Sequence, residues 1–291
     1  MLDVLNFGSL NIDRVYRLDH LVRPGETILS RSYSVFAGGK GLNQSIALAR
    51  AGLRVGHAGK VGPDGGLLLQ TLEADGVDVS GVLRNGSVSG HACIEVDDRG
   101  ENAIILFAGA NGELTREEIT AVLDRVGQET ILLLQNELND TAFILRQAAK
   151  RRLKVAINPA PCPPEVRDYP LNDVRYLFVN EVEAATLSGE TNPEAALAIL
   201  VSRLPRAEIV ITLGGKGALA GSAGSRHFTP VVPAKVIDTT CAGDTFNGYY
   251  LAGRLRGLTI PAALARAARA AAVTVSRPGA APSIPVYSEI E

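Results

Sequence analysis

Cysteine and histidine are scarce in this chain, and their spacing excludes several kinds of site. The sequence has three cysteines (Cys93, Cys162 and Cys241) and four histidines. The cysteines are odd in number, far apart and without a C-x-x-C pair, which predicts free thiols in a reducing compartment and no disulfide framework. The histidines are scattered and form no zinc signature. We therefore expect a cytoplasmic protein without a zinc site.

A strong charge of either sign and long apolar runs are also absent. The 29 basic and 31 acidic side chains give a net charge of −2, so nothing calls for a nucleic acid or an anionic membrane as partner. No run reaches the roughly 18 apolar residues of a transmembrane helix. The longest alanine-rich stretch, 262–275, is interrupted by Arg266 and Arg269. The N-terminal segment has no basic region, which predicts no signal peptide.

The length of 291 residues, with 46% hydrophobic side chains, suffices for one large domain over 1–291 with a sizeable core. Segments with helical spacing alternate with short apolar runs through the middle of the chain. The helical segments are 115–126, 141–152 and 193–204, and the apolar runs are 131–137, 154–161, 174–183 and 208–217. This alternation predicts βαβ units around a parallel sheet that helices cover on both faces.

A different pattern in the first part of the chain predicts a small second sheet. The segment 91–109 has two strand-like pieces around a polar turn, and Ala92, Ile94 and Val96 alternate with His91, Cys93 and Glu95. Further short strands are expected within about 13–39. Because these pieces do not belong to an alternating βα core, we expect them to form a lid over it.

The predicted lid has an apolar face that its own core cannot cover. Its expected members are Ala92, Ile94 and Val96, extended by Tyr33, Val35, Ile104 and Leu106. Packing this face against the same face of a second chain would give a closed, two-fold homodimer. A monomer whose lid folds down over its own cleft is the alternative.

Polar or glycine residues follow four apolar strands of the predicted core. In open α/β sheets, ligands bind outside the carboxyl ends of the strands. The candidates to line one cleft are Glu137, Asn158, Asn180, Glu183, Thr212, Gly214 and Gly217. An ordinary polar turn is the alternative for each of them taken singly.

The stretch "DTTCAGDTFNG" at 238–248 places small residues and one acid at the start of a predicted helix. Unpaired amides at a helix N-terminus bind anions, and small residues let an anion approach. Asp244 then fits a base that faces the attacking hydroxyl. The helix terminus would lower its pKa and make it a weak base, which suffices in phosphoryl transfer because the proton is taken late. An acid that only stabilises the helix is the alternative. The same position predicts a lowered thiol pKa for Cys241.

Two further segments contain polar groups suited to a polyol. The first is "AGGKGLNQSIALARAG" at 37–52, where glycines precede a predicted helix and Lys40 and Asn43 could donate hydrogen bonds. This segment matches neither the Walker A pattern nor the dinucleotide-binding pattern. "GSLNID" at 8–13 puts Asn11 and Asp13 on one side of a strand end, where they could bind vicinal hydroxyls. A solvated lysine and simple turns are the alternatives.

The order of these motifs along nearly the whole chain resembles the ribokinase/PfkB family of carbohydrate kinases. The matching segments are "GSLNID", "PGET", "GGKGLNQ", "AGAN", "INPAP", "NEVEA", "TLGGKG" and "DTTCAGDTFNG". The resemblance implies a three-layer α/β/α domain with a small β-sheet lid. It also implies ATP-dependent phosphorylation of the hydroxymethyl group of a pentose, with ribose expected first.

The resemblance also implies roles for individual residues. The catalytic base would be Asp244, with Ala242 and Gly243 in the anion hole. The sugar contacts would be Asn11, Asp13, Gly39, Lys40, Asn43 and Glu137. The nucleotide contacts would be Asn180, Thr212, Gly214 and Gly217, and Glu183 would organise Mg²⁺ and phosphate through water. A monovalent cation, K⁺, would be held mostly through carbonyls by Asp238, Thr240, Arg277, Gly279 and Ser283.

Three positions depart from the family pattern, and other functions stay open. Asn136 stands where an apolar residue is expected, and His91 and Glu95 are polar on a lid strand. These departures leave the exact sugar open. A kinase of another sugar or of a nucleoside, or a non-catalytic sugar-binding protein on this fold, are the alternatives. An NAD-dependent oxidoreductase is disfavoured because no dinucleotide fingerprint follows the first strand.

Overall fold

The computed structural model describes residues 1–290 and, within them, 13 strands and 8 helices. The strands are β1 (Val4–Phe7), β2 (Asn11–Arg17), β3 (Ser32–Gly38), β4 (Val55–Lys60), β5 (Asp78–Leu83), β6 (Gly90–Val96), β7 (Asn102–Phe107), β8 (Ile131–Gln135), β9 (Lys154–Asn158), β10 (Val174–Asn180), β11 (Glu208–Thr212), β12 (Gly217–Ser222) and β13 (Ser225–Pro230). The helices are α1 (Lys40–Arg50), α2 (Gly66–Ala74), α3 (Arg116–Leu123), α4 (Thr141–Lys150), α5 (Glu181–Ser188), α6 (Pro193–Arg203), α7 (Ala242–Leu255) and α8 (Ile260–Val275).

The main sheet has nine strands in the order β13-β12-β11-β10-β9-β8-β1-β4-β5. The strands from β11 to β5 are mutually parallel, which confirms the βαβ prediction for them. A wholly parallel sheet is wrong, because β12 and β13 run antiparallel. The short turn 213–216 after β11 leaves no room for a crossover helix, so β12 folds back as a hairpin partner.

Helices cover both faces of this sheet, as the apolar strands predict. One core joins the sheet to α1, α2, α7 and α8, with Ile46 and Tyr250 among its fully buried side chains. The other core joins it to α3, α4, α5 and α6 through Ile119, Ile144 and Leu197. The three-layer α/β/α architecture is therefore confirmed.

The second sheet has four strands in the order β3-β2-β6-β7, as the early strand-like pieces predict. Ala92, Ile94, Ile104 and Leu106 share one face of it, because Ala92 pairs with Leu106 and Ile94 with Ile104. The expected place of Tyr33 and Val35 on that face is wrong. Both pair with β2 residues of the opposite face, and β3 presents Phe36 to the face of Ala92 instead.

Small side chains let α1 and α7 pack closely against each other. A Cβ on Gly248 of α7 would lie 2.5 Å from the Cβ of Ala47 on α1. The other end of α7 is held on β11, where Arg254 donates to both carboxylate oxygens of the buried Glu208 and Tyr250 donates to one of them. The starts of the two helices lie side by side, because Asn43 and Gln44 of α1 donate to Asp244 in the first turn of α7. Among residues 1–290, no helix is long and apolar enough to cross a membrane.

Candidate active site

A cavity of about 580 Å³ lies between the second sheet and the carboxyl ends of the main-sheet strands. Its walls include the six residues expected to contact the sugar and also the expected catalytic base. These are Asn11, Asp13, Gly39, Lys40, Asn43, Glu137 and Asp244. Apolar side chains of the second sheet, among them Phe36, Ile94 and Ile104, close the opposite side. The cavity therefore combines a polar floor with an apolar cover.

Asp244 lies in the first turn of α7 and is only 8% exposed. Its Oδ1 accepts a hydrogen bond from the Gln44 amide at 2.8 Å, and its Oδ2 accepts one from the Asn43 amide at 3.2 Å. Burial raises the pKa of Asp244, although the charge of Lys40 and the two amides act to lower it. The expectation that the helix terminus lowers this pKa is wrong, because desolvation outweighs the neighbouring positive groups.

The backbone at the start of α7 offers free amides to an anion. Cys241 occupies the N-cap in the left-handed region at φ 67°. The Ala242 N–H donates to the Thr239 carbonyl at 3.3 Å. The amides of Gly243 and Asp244 make no hydrogen bond to any group within residues 1–290. Two unpaired donors at a helix N-terminus suit a phosphate oxygen.

The Glu137 carboxylate caps α1 from outside the helix. Its Oε2 accepts from the Lys40 backbone N–H at 3.1 Å and from the Ser9 hydroxyl at 2.5 Å. Ser9 in turn accepts from the Gly41 N–H. Gly41 has to be glycine, since a Cβ there would lie 2.4 Å from the Ser9 nitrogen. Glu137 therefore orders the glycine-rich loop in addition to facing the cavity.

The far end of the cavity is shaped by an asparagine pair and a carboxyl of unusual pKa. The fully buried Asn111 donates to Asn11 Oδ1 at 2.7 Å and also bonds both backbone groups of Leu10. Burial, with a smaller contribution from Glu137, raises the pKa of Asp13 to about 7. Asp13 can thus act as donor or acceptor near neutral pH.

Lys40 supplies a positive charge to the cavity beside Asp244. Its pKa is raised, chiefly by Asp244 and also by Glu137 and Glu183, although burial opposes this. The lysine therefore stays charged next to three acids. Glu183 is within electrostatic reach of both Lys40 and Asp244, and burial raises its pKa as well.

A second cavity of about 540 Å³ lies on the other side of the segment 238–244. Gly214, Gly217 and Ala242 line it, together with apolar side chains such as Val236 and Phe246. Gly217 has φ 117°, and a Cβ there would lie 2.1 Å from the Thr229 carbonyl, so only glycine fits. Mostly apolar walls between β12 and α8 suit a flat heterocycle.

The expectation that the strand-end residues line one cleft is wrong: Gly214 and Gly217 line the second cavity, and neither cavity is lined by Asn158, Asn180, Glu183 or Thr212. Asn180 and Glu183 form a capping box at the start of α5, where each side chain bonds the other's backbone N–H. Thr212 ends β11, and Gly243 lies in the first turn of α7. Within residues 1–290, no group of three or more His, Cys, Asp or Glu side chains could hold a metal.

The segments expected to hold a monovalent cation are joined by Asp238. Its carboxylate accepts from the Thr240 and Gly279 backbone amides, each at 2.9 Å. Burial acts to raise the pKa of Asp238, but these hydrogen bonds outweigh it and the pKa is lowered. The side chains of Arg277 and Ser283 are engaged elsewhere, with Glu289 and the Ala280 carbonyl.

Sequence reasoning missed three residues that hold the expected ones in place. Ser9 orders Glu137, Gln44 contacts Asp244, and Asn111 fixes Asn11. Each stands inside a motif that carried the resemblance, namely "GSLNID", "GGKGLNQ" and "AGAN". A polar side chain inside a glycine-rich or otherwise apolar motif was the available signal. The sequence alone does not show which distant residue such a side chain would hydrogen-bond.

The expectation for Cys241 is wrong. Cys241 is buried, with 8% of the residue exposed, and burial raises the pKa of its thiol well above the ordinary value, with a further increase from the Asp244 charge. The helix terminus does not compensate for this loss of hydration.

Comparison with known proteins identifies the family. The family model described as pfkB family carbohydrate kinase matches residues 1–286. The chain belongs to this family. It is 36% identical over 310 residues to a ribokinase of Schizosaccharomyces pombe, covering 100% of this chain and 97% of that protein.

Two solved structures extend the comparison. One is a ribokinase from Cryptococcus neoformans var. grubii in complex with ADP, at TM-score 0.83 and 34% identity, covering 100% of this chain and 99% of that one. The other is an Arabidopsis thaliana ribokinase complexed with ribose and ATP, at TM-score 0.85 and 26% identity, covering 99% and 97%. These matches confirm the resemblance that the motifs gave.

Cys241 should react with a small maleimide more slowly than Cys93, which is partly exposed. The reason is the burial of the Cys241 sulfur and its raised pKa. Peptide mass spectrometry over a labelling time course measures both rates, and the unfolded chain, in which both thiols are free, is the control. Faster labelling of Cys241 in the folded protein would contradict this assignment.

Proposed function

We propose that this protein transfers the γ-phosphoryl group of ATP to the hydroxymethyl group of ribose, giving ribose 5-phosphate. The observation that carries the proposal is the position of the segment 238–244 between the two cavities. Asp238, Thr240 and Asp244 line the polar cavity, whereas Thr239 and Ala242 line the apolar one. A sugar in the first and a nucleotide base in the second would bring the phosphate chain to the start of α7. The S. pombe relative is a ribokinase, and the Arabidopsis neighbour was solved with ribose and ATP.

The polar floor of the first cavity suits a small polyol. Asn11, Asp13, Asn43 and Glu137 would bind the ring hydroxyls, with the Gly39 and Lys40 segment closing the side. Glu137 Oε2 is already occupied by the Lys40 N–H and Ser9. Its other oxygen is therefore the one that would meet a hydroxyl. The Oδ1 of Asn43 is buried without a hydrogen-bond partner among residues 1–290, so a sugar hydroxyl would satisfy it.

Asp244 would orient the hydroxymethyl O–H and take its proton as the new O–P bond forms. In a loose transition state the base acts late, so a carboxylate suffices. The Gly243 and Asp244 amides would stabilise the charge that develops on the transferred group, and the small side chain of Ala242 would leave room for it beside them. Lys40 would hold Asp244 in its charged form between turnovers.

The nucleotide would be bound by the loops that follow β10, β11 and β12. Gly214 and Gly217 allow a close approach to the backbone, and Asn180, Glu183 and Thr212 end the neighbouring strands. Mg²⁺ would arrive with the phosphates and neutralise their charge, since an ion of this kind keeps several waters and few protein ligands. Glu183 would act on it through water, because one of its oxygens already caps α5.

The segments tied by Asp238 fit a monovalent cation such as K⁺. Within residues 1–290, the backbone carbonyls of Asp238, Thr240 and Gly279 accept no hydrogen bond. These oxygens are the hard donors that such an ion takes. A bound ion would order the loop that precedes the anion-binding amides of α7. Arg277 and Ser283 would contribute only through their backbone.

The second sheet would act as the lid of a single kinase domain over 1–291, with its strands within about 13–39 and 91–109. One edge strand, β7, keeps Ile104 and Leu106 at 56% and 55% exposed on the face that lines the cavity. Contact with a second copy would cover them and give a homodimer. Three free cysteines fit a reducing, cytoplasmic location.

Asp244→Asn should bind ribose and ATP but turn over about 10²–10⁴-fold more slowly, since an amide cannot take the proton. Coupled release of ADP measures kcat, and calorimetry measures ribose binding. Asn247→Asp, which adds an acid one turn further along α7, serves as a control and should not restore the activity when combined with Asp244→Asn. A kcat close to that of the unsubstituted protein would rule out Asp244 as the base.

K⁺ should raise kcat relative to Na⁺ at equal ionic strength, because the larger ion fits a cage of carbonyls better. ADP release in potassium, sodium and tetramethylammonium salts measures this effect. Asp238→Asn, which weakens the hold on the Gly279 amide, should reduce the difference between the ions. Equal rates in all three salts would show that no such site operates.

Ile104→Asp should dissociate the proposed dimer and raise the ribose KM more than the ATP KM, because Ile104 lies on the cavity face of the lid. Ile105→Asp is the matched control, since Ile105 is 72% exposed on the opposite face of the same strand. Light scattering and steady-state kinetics give both readouts. A monomer at micromolar concentration in the unsubstituted protein would contradict the proposal.

A further inference from the structure

A chain of buried polar side chains leads from Asp244 away from the cavity and through the core. None of the members beyond Asp244 lines either cavity described above. Its members, in order of contact, are Gln44, Gln135, Asn6, Ser45 and His57, with Asn158 as a branch. All are at most 7% exposed. A polar chain of this length in a hydrophobic core calls for an explanation beyond packing.

One end of the chain has a fixed hydrogen-bond direction. His57 Nε2 lies 3.2 Å from the Gly8 carbonyl, which can only accept, so Nε2 carries the proton. Burial lowers the pKa of His57 to about 4, so the ring is neutral and Nδ1 is an acceptor. Ser45 therefore donates its hydroxyl to Nδ1 at 2.8 Å. Its oxygen is then free to accept from the Asn6 amide.

The direction propagates toward Asp244, and one acceptor in the chain, Gln135 Oε1, is left without a partner within residues 1–290. Asn6 also donates to the Gly41 carbonyl, so its Oδ1 is left to accept from Gln135 at 3.1 Å. Gln135 gives its second N–H to Gln44 Oε1 at 2.7 Å. Gln44 must then turn its NH₂ group to Asp244 Oδ1.

The branch at Asn158 imposes the same orientation. Asn158 donates to the Phe178 carbonyl at 3.0 Å, so its Oδ1 faces Gln44 and accepts from it at 3.1 Å. A Gln44 amide turned the other way would set its oxygen against Asn158 Oδ1 and Asp244 Oδ1. It would also present its NH₂ group to that of Gln135. The chain from the Gly8 carbonyl and the branch from the Phe178 carbonyl therefore independently select the same orientation of the Gln44 amide.

We propose that Gln44 is a positioning residue for the transfer step, and that the buried chain ending at His57 locks its NH₂ group onto Asp244 Oδ1 and so keeps Asp244 a carboxylate. The inference rests on the proposed role of Asp244 as the base. Asn43, the other donor to Asp244, lines the cavity and its own oxygen has no partner within residues 1–290, whereas both polar atoms of Gln44 are bonded to protein groups. Asn43 is therefore free to turn toward a substrate, whereas Gln44 is not.

Other charges also act on Asp244, and they stay in place when the chain is altered. Lys40 on α1 lowers its pKa, and Asp244 interacts with Glu137 after β8, Glu183 on α5 and the Cys241 thiol at the start of α7. None of these side chains hydrogen-bonds Gln44 or Gln135. A change in the titration of Asp244 after substitution in the chain therefore reports the lost donor.

The test compares Gln44→Met with Gln135→Met, two substitutions that conserve side-chain length. A lost hydrogen bond to a charged group predicts that Asp244 in Gln44→Met titrates about one to two pH units higher. Gln135→Met should shift it in the same direction by less, because Asn158 still holds Gln44. Carbon-13 NMR of protein labelled at the aspartate carboxyl carbon measures the titration, and Asp244→Asn assigns the resonance.

Kinetics give a second readout. Because the base must be ionised, a raised pKa moves the acid limb of kcat to higher pH by the same amount. The ribose KM should change little, since neither glutamine lines the cavity. Thr130→Val is the control: it removes a buried hydrogen bond at the other end of β8, to the Leu2 carbonyl, and should alter stability without moving the titration.

The outcomes separate the two proposals. An Asp244 that titrates in Gln44→Met as in the unsubstituted protein overturns the role of Gln44. A shift in Gln44→Met with none in Gln135→Met overturns the locking role of the chain. If Gln135→Met does not fold, Gln44→Met still decides whether Gln44 acts on Asp244. If the protein does not phosphorylate ribose, the NMR titration still measures the effect of Gln44 on Asp244. A failure of the proposed function is therefore distinguishable from a failure of the role proposed for Gln44.

Discussion

Burial of one carboxylate, that of Asp244, is the constraint on which the site depends. A buried acid tends to become neutral, and here desolvation is the largest influence on its pKa. The structure opposes this with a lysine and two amide donors, all supplied by α1. That arrangement requires the starts of α1 and α7 to lie side by side, which Gly248 and Ala47 permit. The packing of α1 against α7 therefore also sets the electrostatic environment of Asp244.

The same requirement accounts for the glycine-rich entry to α1. Its first amides are bound by Ser9 and Glu137, so this helix terminus is closed to an anion. Among the described residues, nothing accepts a hydrogen bond from two amides at the start of α7. One helix terminus thus orders the sugar-side loop while the other is open to phosphate. The two glycine-rich segments look alike in sequence, and only their partners distinguish them.

Much of the fold and of the candidate site was predictable from the sequence, and each prediction that proved wrong has a physical cause. The alternation of apolar runs and helical segments predicted the three layers, and the motifs predicted which residues meet at the cavity. The direction of β12 depended on a four-residue turn that the apolar pattern does not reveal. The faces of Tyr33 and Val35 depended on strand register, where a shift of one residue reverses every side chain. The pKa of Asp244 and Cys241 depended on burial, which outweighs the helix terminus and has no local sequence signal. Gln44 and Asn111 were missed because their partners are distant in sequence, at separations of 200 and 100 residues.

Analysis of the reaction products is the sharpest test of whether this protein phosphorylates ribose at its C5 oxygen. The protein, with ATP and magnesium, is offered ribose, other pentoses, hexoses and nucleosides, and the products are identified by phosphorus-31 and carbon-13 NMR. Ribose should be turned over with the highest kcat/KM, and the new phosphate should be on its C5 oxygen. Faster turnover of a nucleoside or a hexose, or a phosphate at another position of ribose, would contradict the assignment as a ribose kinase.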